Sequence, residues 1–123
     1  MIGLIDYISE KYSNVVEIGI GRYPEVAYSL YLKGINVIAT DIYYFSYKGI
    51  RFFIDNIMEP NVSIYNGAGL LYSIRPAPEL VIYMKRLAKN IKADLIVKPL
   101  SSEFYEGDLK RYKSINFYLW NFS

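Results

Sequence analysis

The sequence predicts an α/β domain built on a mostly parallel sheet of about six strands. Three observations predict it. Apolar runs of strand length alternate with amphipathic stretches of helix length along 123 residues. The first of these runs ends in a glycine turn, EIGIG, that leads straight into a helical stretch. Polar residues recur where the runs stop: Asp41, Asp55, Arg75 and Lys98 each follow or end an expected strand. With 53% apolar and 21% charged residues there is material for one buried core, so a single domain over residues 1–123 is expected.

The elements follow in order. Leu4, Ile5, Ile8 and Tyr12 recur at helical spacing, which predicts an amphipathic helix over 2–12. VVEIGI reads as a buried strand ending at Gly19. Pro24 suits the first position of a helix, where its missing N–H is not needed, and Gly34 suits that helix's end. INVIAT, residues 35–40, is a second strand, and Asp41 follows it. IYYFSYKG is aromatic and irregular; IRFFI, residues 50–54, is a third strand, followed by Asp55. After the turn signals of MEPNVSIYNG, GLLYSI at 69–74 is a fourth strand. Pro78 opens a helix in which Leu80, Tyr83, Met84, Leu87 and Ile91 share one face. DLIVK, residues 94–98, is a fifth strand. SSEFYEGDLKRY reads as a loop or short helix, and INFYLWNF, residues 115–122, as a sixth strand of edge type.

Composition narrows the chemistry. There is no cysteine and no histidine, so thiolate and imidazole ligation are excluded and no metal site is expected. Proton transfer falls to Asp, Glu, Lys or Tyr. A net charge of +2 does not suggest a general nucleic-acid binder. No apolar run reaches a membrane span. MIGLIDYISEK lacks a basic start and a cleavage site, so a cytoplasmic protein is expected.

The glycine turn carries the functional expectation. Gly19 and Gly21 let the backbone turn sharply and approach a ligand without a Cβ in the way. Asp41 stands twenty residues after Gly21, where a carboxylate accepts hydrogen bonds from ribose hydroxyls. That much fits both a dinucleotide and S-adenosylmethionine. A helix precedes the first strand, and Glu17 puts a carboxylate two residues before Gly19. An acid there favours a cofactor with ammonium and sulfonium charges over a pyrophosphate.

EIGIG, with Asp41 and Asp55 at the ends of strands two and three, resembles the first three motifs of class I S-adenosylmethionine-dependent methyltransferases. VVEIGIGRYPEVAYSL, VIATDI, LLYSIRPAPEL and VKPLSSE are similar to an archaeal group, the uncharacterised protein family UPF0146. The resemblance implies a three-layer Rossmann-like domain. It implies that Glu17, Gly19 and Gly21 surround the methionine part of the cofactor, that Asp41 holds the ribose with Ile42 against the adenine, and that Asp55 and Asn56 reach the adenine amino group. Tyr23 takes the place of a third glycine and is expected to narrow the pocket. Ser73, Arg75 and Pro76 stand where many such enzymes bind an acceptor amine, which makes Ser73 and Arg75 the catalytic candidates. The amine-binding Asn or Asp is absent there. Such enzymes add a seventh strand and a substrate-binding elaboration, so a fold truncated at its C-terminus is expected.

Each candidate also has a purely structural reading. The glycines suit any tight strand–helix turn. Asp41 and Asp55 suit a cap or an Asx turn. Glu17 suits an ion pair with Arg22 or Arg75, and Arg75 one with Glu79. Tyr43, Tyr44 and Tyr47 suit either an adenine cover or loop packing. Lys85, Lys89 and Lys92 suit a solvated face or an RNA contact. The expected function is S-adenosylmethionine binding, extended to methyl transfer onto an unknown acceptor. The alternative is a non-catalytic module that keeps the fold and contacts protein or RNA. An NAD-type site ranks third.

Overall fold

The computed structural model describes all residues, 1–123. Its order of elements is α1 (Ile2–Lys11), β1 (Asn14–Ile18), α2 (Glu25–Leu32), β2 (Asn36–Asp41), β3 (Arg51–Ile54), β4 (Leu70–Ile74), α3 (Val81–Ile91), β5 (Asp94–Lys98), β6 (Asp108–Tyr112) and β7 (Ile115–Trp120). Short 3₁₀ turns at Val62–Ile64 and Pro78–Leu80 precede β4 and α3. No helix is long and apolar enough to cross a membrane.

The strands form one sheet in the order β3-β2-β1-β4-β5-β7-β6. The first five are parallel, and β7 runs antiparallel between β5 and β6. Strand order reverses at β1, which pairs with β2 on one side and β4 on the other. Alternate residues face opposite layers, as the pleat requires. Val15, Val37, Tyr72, Ile96 and Phe117 pack with Leu4 and Ile8 of α1 and Val26, Ala27 and Leu30 of α2. Val16, Leu71, Leu95, Val97 and Trp120 pack with Val81, Met84, Leu87 and Ala88 of α3. This is a three-layer α/β arrangement.

Several contacts fasten the C-terminal half. Gly3 lies so close to the β6–β7 hairpin that a Cβ there would collide with the Tyr112 carbonyl. Asp94 accepts from the Tyr12 hydroxyl at 2.7 Å and from the backbone N–H groups of Phe122 and Ser123, each at 3.1 Å. Trp120 is buried on α3's face of the sheet. Its indole N–H donates to the Glu106 carbonyl at 2.9 Å, and the Lys85 ammonium lies 5.6 Å from its ring centroid.

Four expectations need correction. Residues 108–112 form a strand, not a loop or short helix. The sheet therefore has seven strands, and the seventh strand thought to be missing is present. β7 is an inner strand whose Phe117–Trp120 stretch is buried, so it is β6 that forms the edge. Pro24 is the N-cap of α2, not its first residue, and its carbonyl accepts the first helical bond from Tyr28 N–H at 2.8 Å. What the fold omits is an α-helix between β5 and β6, which are joined by a loop.

Candidate functional site

The carboxyl ends of β1 to β5 and the loops after them meet at the strand-order reversal, where open α/β sheets bind ligands. After β1 the chain turns through Gly19 at φ +74° and Gly21 at φ +57°. These left-handed values favour glycine, and a Cβ at Gly19 would point into open space. The turn is held from two sides. Gly21 N–H donates to Asp41 Oδ2 at 2.9 Å, and the Tyr47 hydroxyl donates to the Gly21 carbonyl.

Asp41 ends β2 half-buried. Its Oδ1 accepts from Tyr43 N–H at 3.0 Å, so each carboxylate oxygen accepts one backbone bond and keeps a free lone pair. Asp55 follows β3. Its Oδ2 accepts from the Tyr65 hydroxyl at 2.6 Å and its Oδ1 from Asn61 N–H at 3.0 Å. Tyr65 is fully buried, with the Thr40 hydroxyl 3.3 Å away. Burial, with the bond to Asp55, pushes its phenol far above its ordinary value. Asn56 forms an Asx turn with Met58 N–H at 3.0 Å.

Two cavities flank this turn. One of about 260 Å³ is lined by Thr40, Asp41, Ile42, Asp55, Ser73 and Pro76 among others. The second, of about 530 Å³, is lined by Glu17, Gly21, Arg22, Tyr23, Glu25 and Leu100 among others. Gly19, Ile74 and Arg75 line both. The second has the size of a small-molecule site, and the first falls just short of it.

Glu17 is the unusual group. It is 1% exposed, on the α1–α2 face of β1 and beside Tyr72 in the β1–β4 register. Burial raises its carboxyl to about 8; the Tyr72 hydroxyl nearby opposes the shift, and the Glu25 charge adds to it. Its Oε1 has no hydrogen-bond partner, and neither does the Tyr72 hydroxyl. An orphaned buried acid usually signals a missing partner.

The expected site residues are thus brought to one edge, and the ion pairs that a purely structural reading allowed them do not form. Glu17 makes no ion pair with Arg22 or Arg75, and Arg75 makes none with Glu79: both ion pairs in the structure, Lys33–Asp6 and Lys113–Asp6, lie elsewhere. Ser73 is buried and ties β4 to β1 by donating to the Ile18 carbonyl at 2.7 Å. Tyr23 is 75% exposed at the rim, so it does not fill the larger cavity. Ile42 is exposed and lines the smaller one. Tyr43 and Tyr44 are exposed, and Tyr44 packs edge-on against Phe52. Tyr65 escaped sequence reasoning, marked by nothing but a high tyrosine count; Tyr47 was named for an adenine cover or loop packing, and its clamp on Gly21 is new.

The fold and the glycine turn with its facing acid define a Rossmann-like domain of the class I methyltransferase type. Solved methyltransferases share it. The structure of MycE, the methyltransferase of the mycinamycin biosynthetic pathway, in complex with Mg and S-adenosylhomocysteine, superposes with a TM-score of 0.58 at 11% identity, covering 94% of this chain and 43% of that one. The 1,6-didemethyltoxoflavin-N1-methyltransferase of Burkholderia thailandensis, solved with 1,6-didemethyltoxoflavin and S-adenosylhomocysteine, gives 0.51 at 15% identity, covering 94% of this chain and 57% of that one. This chain therefore spans about half the length of either enzyme.

The chain belongs to the uncharacterised protein family UPF0146, whose model matches residues 1–121. A UPF0146 protein of Archaeoglobus fulgidus is 41% identical over 121 residues, covering 97% of this chain and 93% of its own. Another, from Pyrococcus furiosus, is 36% identical over 130 aligned positions and covers 98% of each chain.

Proposed function

We propose that the protein binds S-adenosylmethionine or its demethylated product across the two cavities that meet at Gly19. The observation that carries this is Glu17: a fully buried carboxyl with an orphaned oxygen beside the larger cavity. A ligand bearing an ammonium charge supplies the partner that Oε1 lacks and draws off the proton that burial keeps on Glu17. The smaller cavity takes the adenosine part, with Asp41 on the ribose, Ile42 against the base, and Asp55 with Asn56 near the adenine amino group. The larger takes the methionine part, under Gly19 and Gly21 and inside Tyr23. The solved neighbours hold S-adenosylhomocysteine in the same fold, which supports the choice of ligand.

Methyl transfer is the natural extension. A bound sulfonium is already activated, so the protein's part is positioning and electrostatics. Ser73 and Arg75 stand beside the ligand path, with Arg75 the stronger candidate because the Ser73 proton is already committed. The second reading is a binding module without transfer, acting by contact with protein or RNA. It is favoured by the loop that replaces a helix between β5 and β6. A cytoplasmic setting suits either.

Isothermal titration with S-adenosylmethionine, S-adenosylhomocysteine and NAD tests the ligand. The expected result is micromolar binding of the first two and none of the third. Absence of binding for both sulfur ligands at millimolar concentration would sink the proposal.

A further inference from the structure

We propose that Arg75, with Arg22 lining the same cavity, forms an oxyanion-binding element, and that the second ligand of this site carries a carboxylate or phosphate. In naming a second ligand the inference rests on the cofactor reading above. The anion element itself rests on three independent features of Arg75.

The backbone comes first. Arg75 follows β4 directly and adopts φ +52°, a left-handed conformation that residues with a Cβ rarely hold. Its N–H donates to the Lys98 carbonyl at 2.7 Å, which carries the β4–β5 pairing one step past β4. Glycine would occupy this position without strain. A strained residue at a ligand edge is a candidate for function, and here its side chain is a guanidinium.

Position comes second. Arg75 lines both cavities, beside Gly19, so its side chain stands at the divide between them.

The third feature is its lack of partners. Arg75 has no carboxylate within ion-pair distance. Arg51 and Arg86 lie over the rings of Phe53 and Tyr83, but Arg75 and Arg22 lie over none. The acids of the larger cavity do not neutralise them: Glu17 is buried on the α1–α2 side, and Glu25 makes no ion pair. A guanidinium offers a planar fork of donors that matches carboxylate and phosphate oxygens. S-adenosylmethionine brings cations of its own to this cavity, so two free arginines in its wall point to a further, anionic occupant. The competing claimant is the cofactor's own carboxylate, and the test separates the two.

The substitution to use is Arg75→Gly, because glycine accepts the backbone conformation and the variant should fold as well as the parent, checked by its melting temperature. Arg75→Lys keeps the charge and loses the fork. Inorganic phosphate and acetate are titrated into free and S-adenosylhomocysteine-saturated protein, followed by amide NMR shifts of Gly21, Arg22 and Arg75. Saturable shifts are expected in the parent, weakened at least tenfold in Arg75→Gly and less in Arg75→Lys. Any loss of S-adenosylhomocysteine affinity in Arg75→Gly is expected to be smaller than its loss of anion affinity. Equal anion binding by parent and Arg75→Gly overturns the inference. So does a tenfold loss of S-adenosylhomocysteine affinity in Arg75→Gly with unchanged affinity for 5′-methylthioadenosine, which lacks the carboxylate. Failure of S-adenosylhomocysteine to bind the parent defeats the cofactor reading alone, and the titration of free protein still decides the anion element.

Discussion

Gly21 and Asp41, twenty residues apart in the chain, are joined by a 2.9 Å hydrogen bond from the Gly21 N–H to Oδ2 of the Asp41 carboxylate. The acid that faces the ligand edge is therefore also the latch of the glycine turn. Its second oxygen holds Tyr43 N–H, so the start of the β2–β3 loop is tied to the same group. This structural role is compatible with the ribose contact proposed for Asp41, because each oxygen retains a lone pair.

Asp41→Ala removes both backbone bonds at once. Bonds from backbone donors to a charged acceptor are worth more than neutral ones, so a stability loss of about 1–3 kcal/mol is expected in urea denaturation. S-adenosylhomocysteine affinity should fall at least tenfold by calorimetry. A destabilised variant with unchanged affinity would refute the ribose assignment and leave Asp41 as a latch alone.

Glu17 makes stability depend on pH. Its folded-state value of about 8 lies above the ordinary 4.5, so the folded protein holds a proton that the unfolded chain has already released. The stability this proton confers is fully present below about pH 4.5. It declines as pH rises and is lost once pH passes about 8. The full difference is on the order of 3–5 kcal/mol. Melting temperature should fall between pH 6 and 9 in the parent and stay flatter in Glu17→Gln. A cationic ligand beside Glu17 draws that proton off, so its affinity should rise from pH 6 to 8 with proton release in calorimetry. Parallel profiles for parent and variant would show that Glu17 is not the titrating group.

Gly3→Ala tests the seat of α1. The new methyl would press on the Tyr112 carbonyl, a backbone atom of the hairpin that can yield only by moving the hairpin or the helix. A loss of about 1–3 kcal/mol is expected from overpacking, against the small gain that alanine brings to an open helix position. A neutral or stabilising result would mean that α1 is not held so tightly.

Ser114→Gly should act in the opposite direction. Lys113 and Ser114 form a two-residue hairpin loop with φ +47° and +68°, the geometry of a primed turn, yet neither is glycine or asparagine. Glycine at 114 relieves a strained Cβ and should stabilise by about 0.5–1 kcal/mol in thermal denaturation. Lys113 is left in place because its ammonium pairs with Asp6 at 2.8 Å.

The same turn explains what the sequence concealed. β1, β2, β4 and β5 are largely buried parallel strands and read as near-continuous apolar runs, so they were legible. β6 is an edge strand: residues 108–111 are all exposed, three of them charged, and it shows no buried alternation. Its hairpin lacks the Asn-Gly or Asp-Gly that announces such turns, so 108–112 passed for loop. At the candidate site, the turn at Gly19 and Gly21 with Asp41 facing it was legible as geometry, because strand–turn–helix units fix that spacing. Tyr65 and the particular contact of Tyr47 were not, because these side chains reach Asp55 and Gly21 from irregular segments that obey no period. The ion pairs that a purely structural reading allowed Glu17 do not form, because pleat parity turns it into the α1–α2 layer while the arginines stand exposed at the mouth.

Trp120 is the chain's one tryptophan, and it lies opposite Leu95, three positions before the ligand-edge end of β5. Its surroundings are α3 and the segment before β6, through Lys85 and the Glu106 carbonyl, and it lines neither cavity at the glycine turn. Intrinsic tryptophan fluorescence in this protein therefore reports the docking of the C-terminal hairpin onto the sheet. An unfolding trace recorded at that wavelength follows β7 leaving β5, and a ligand can fill the site without changing the emission.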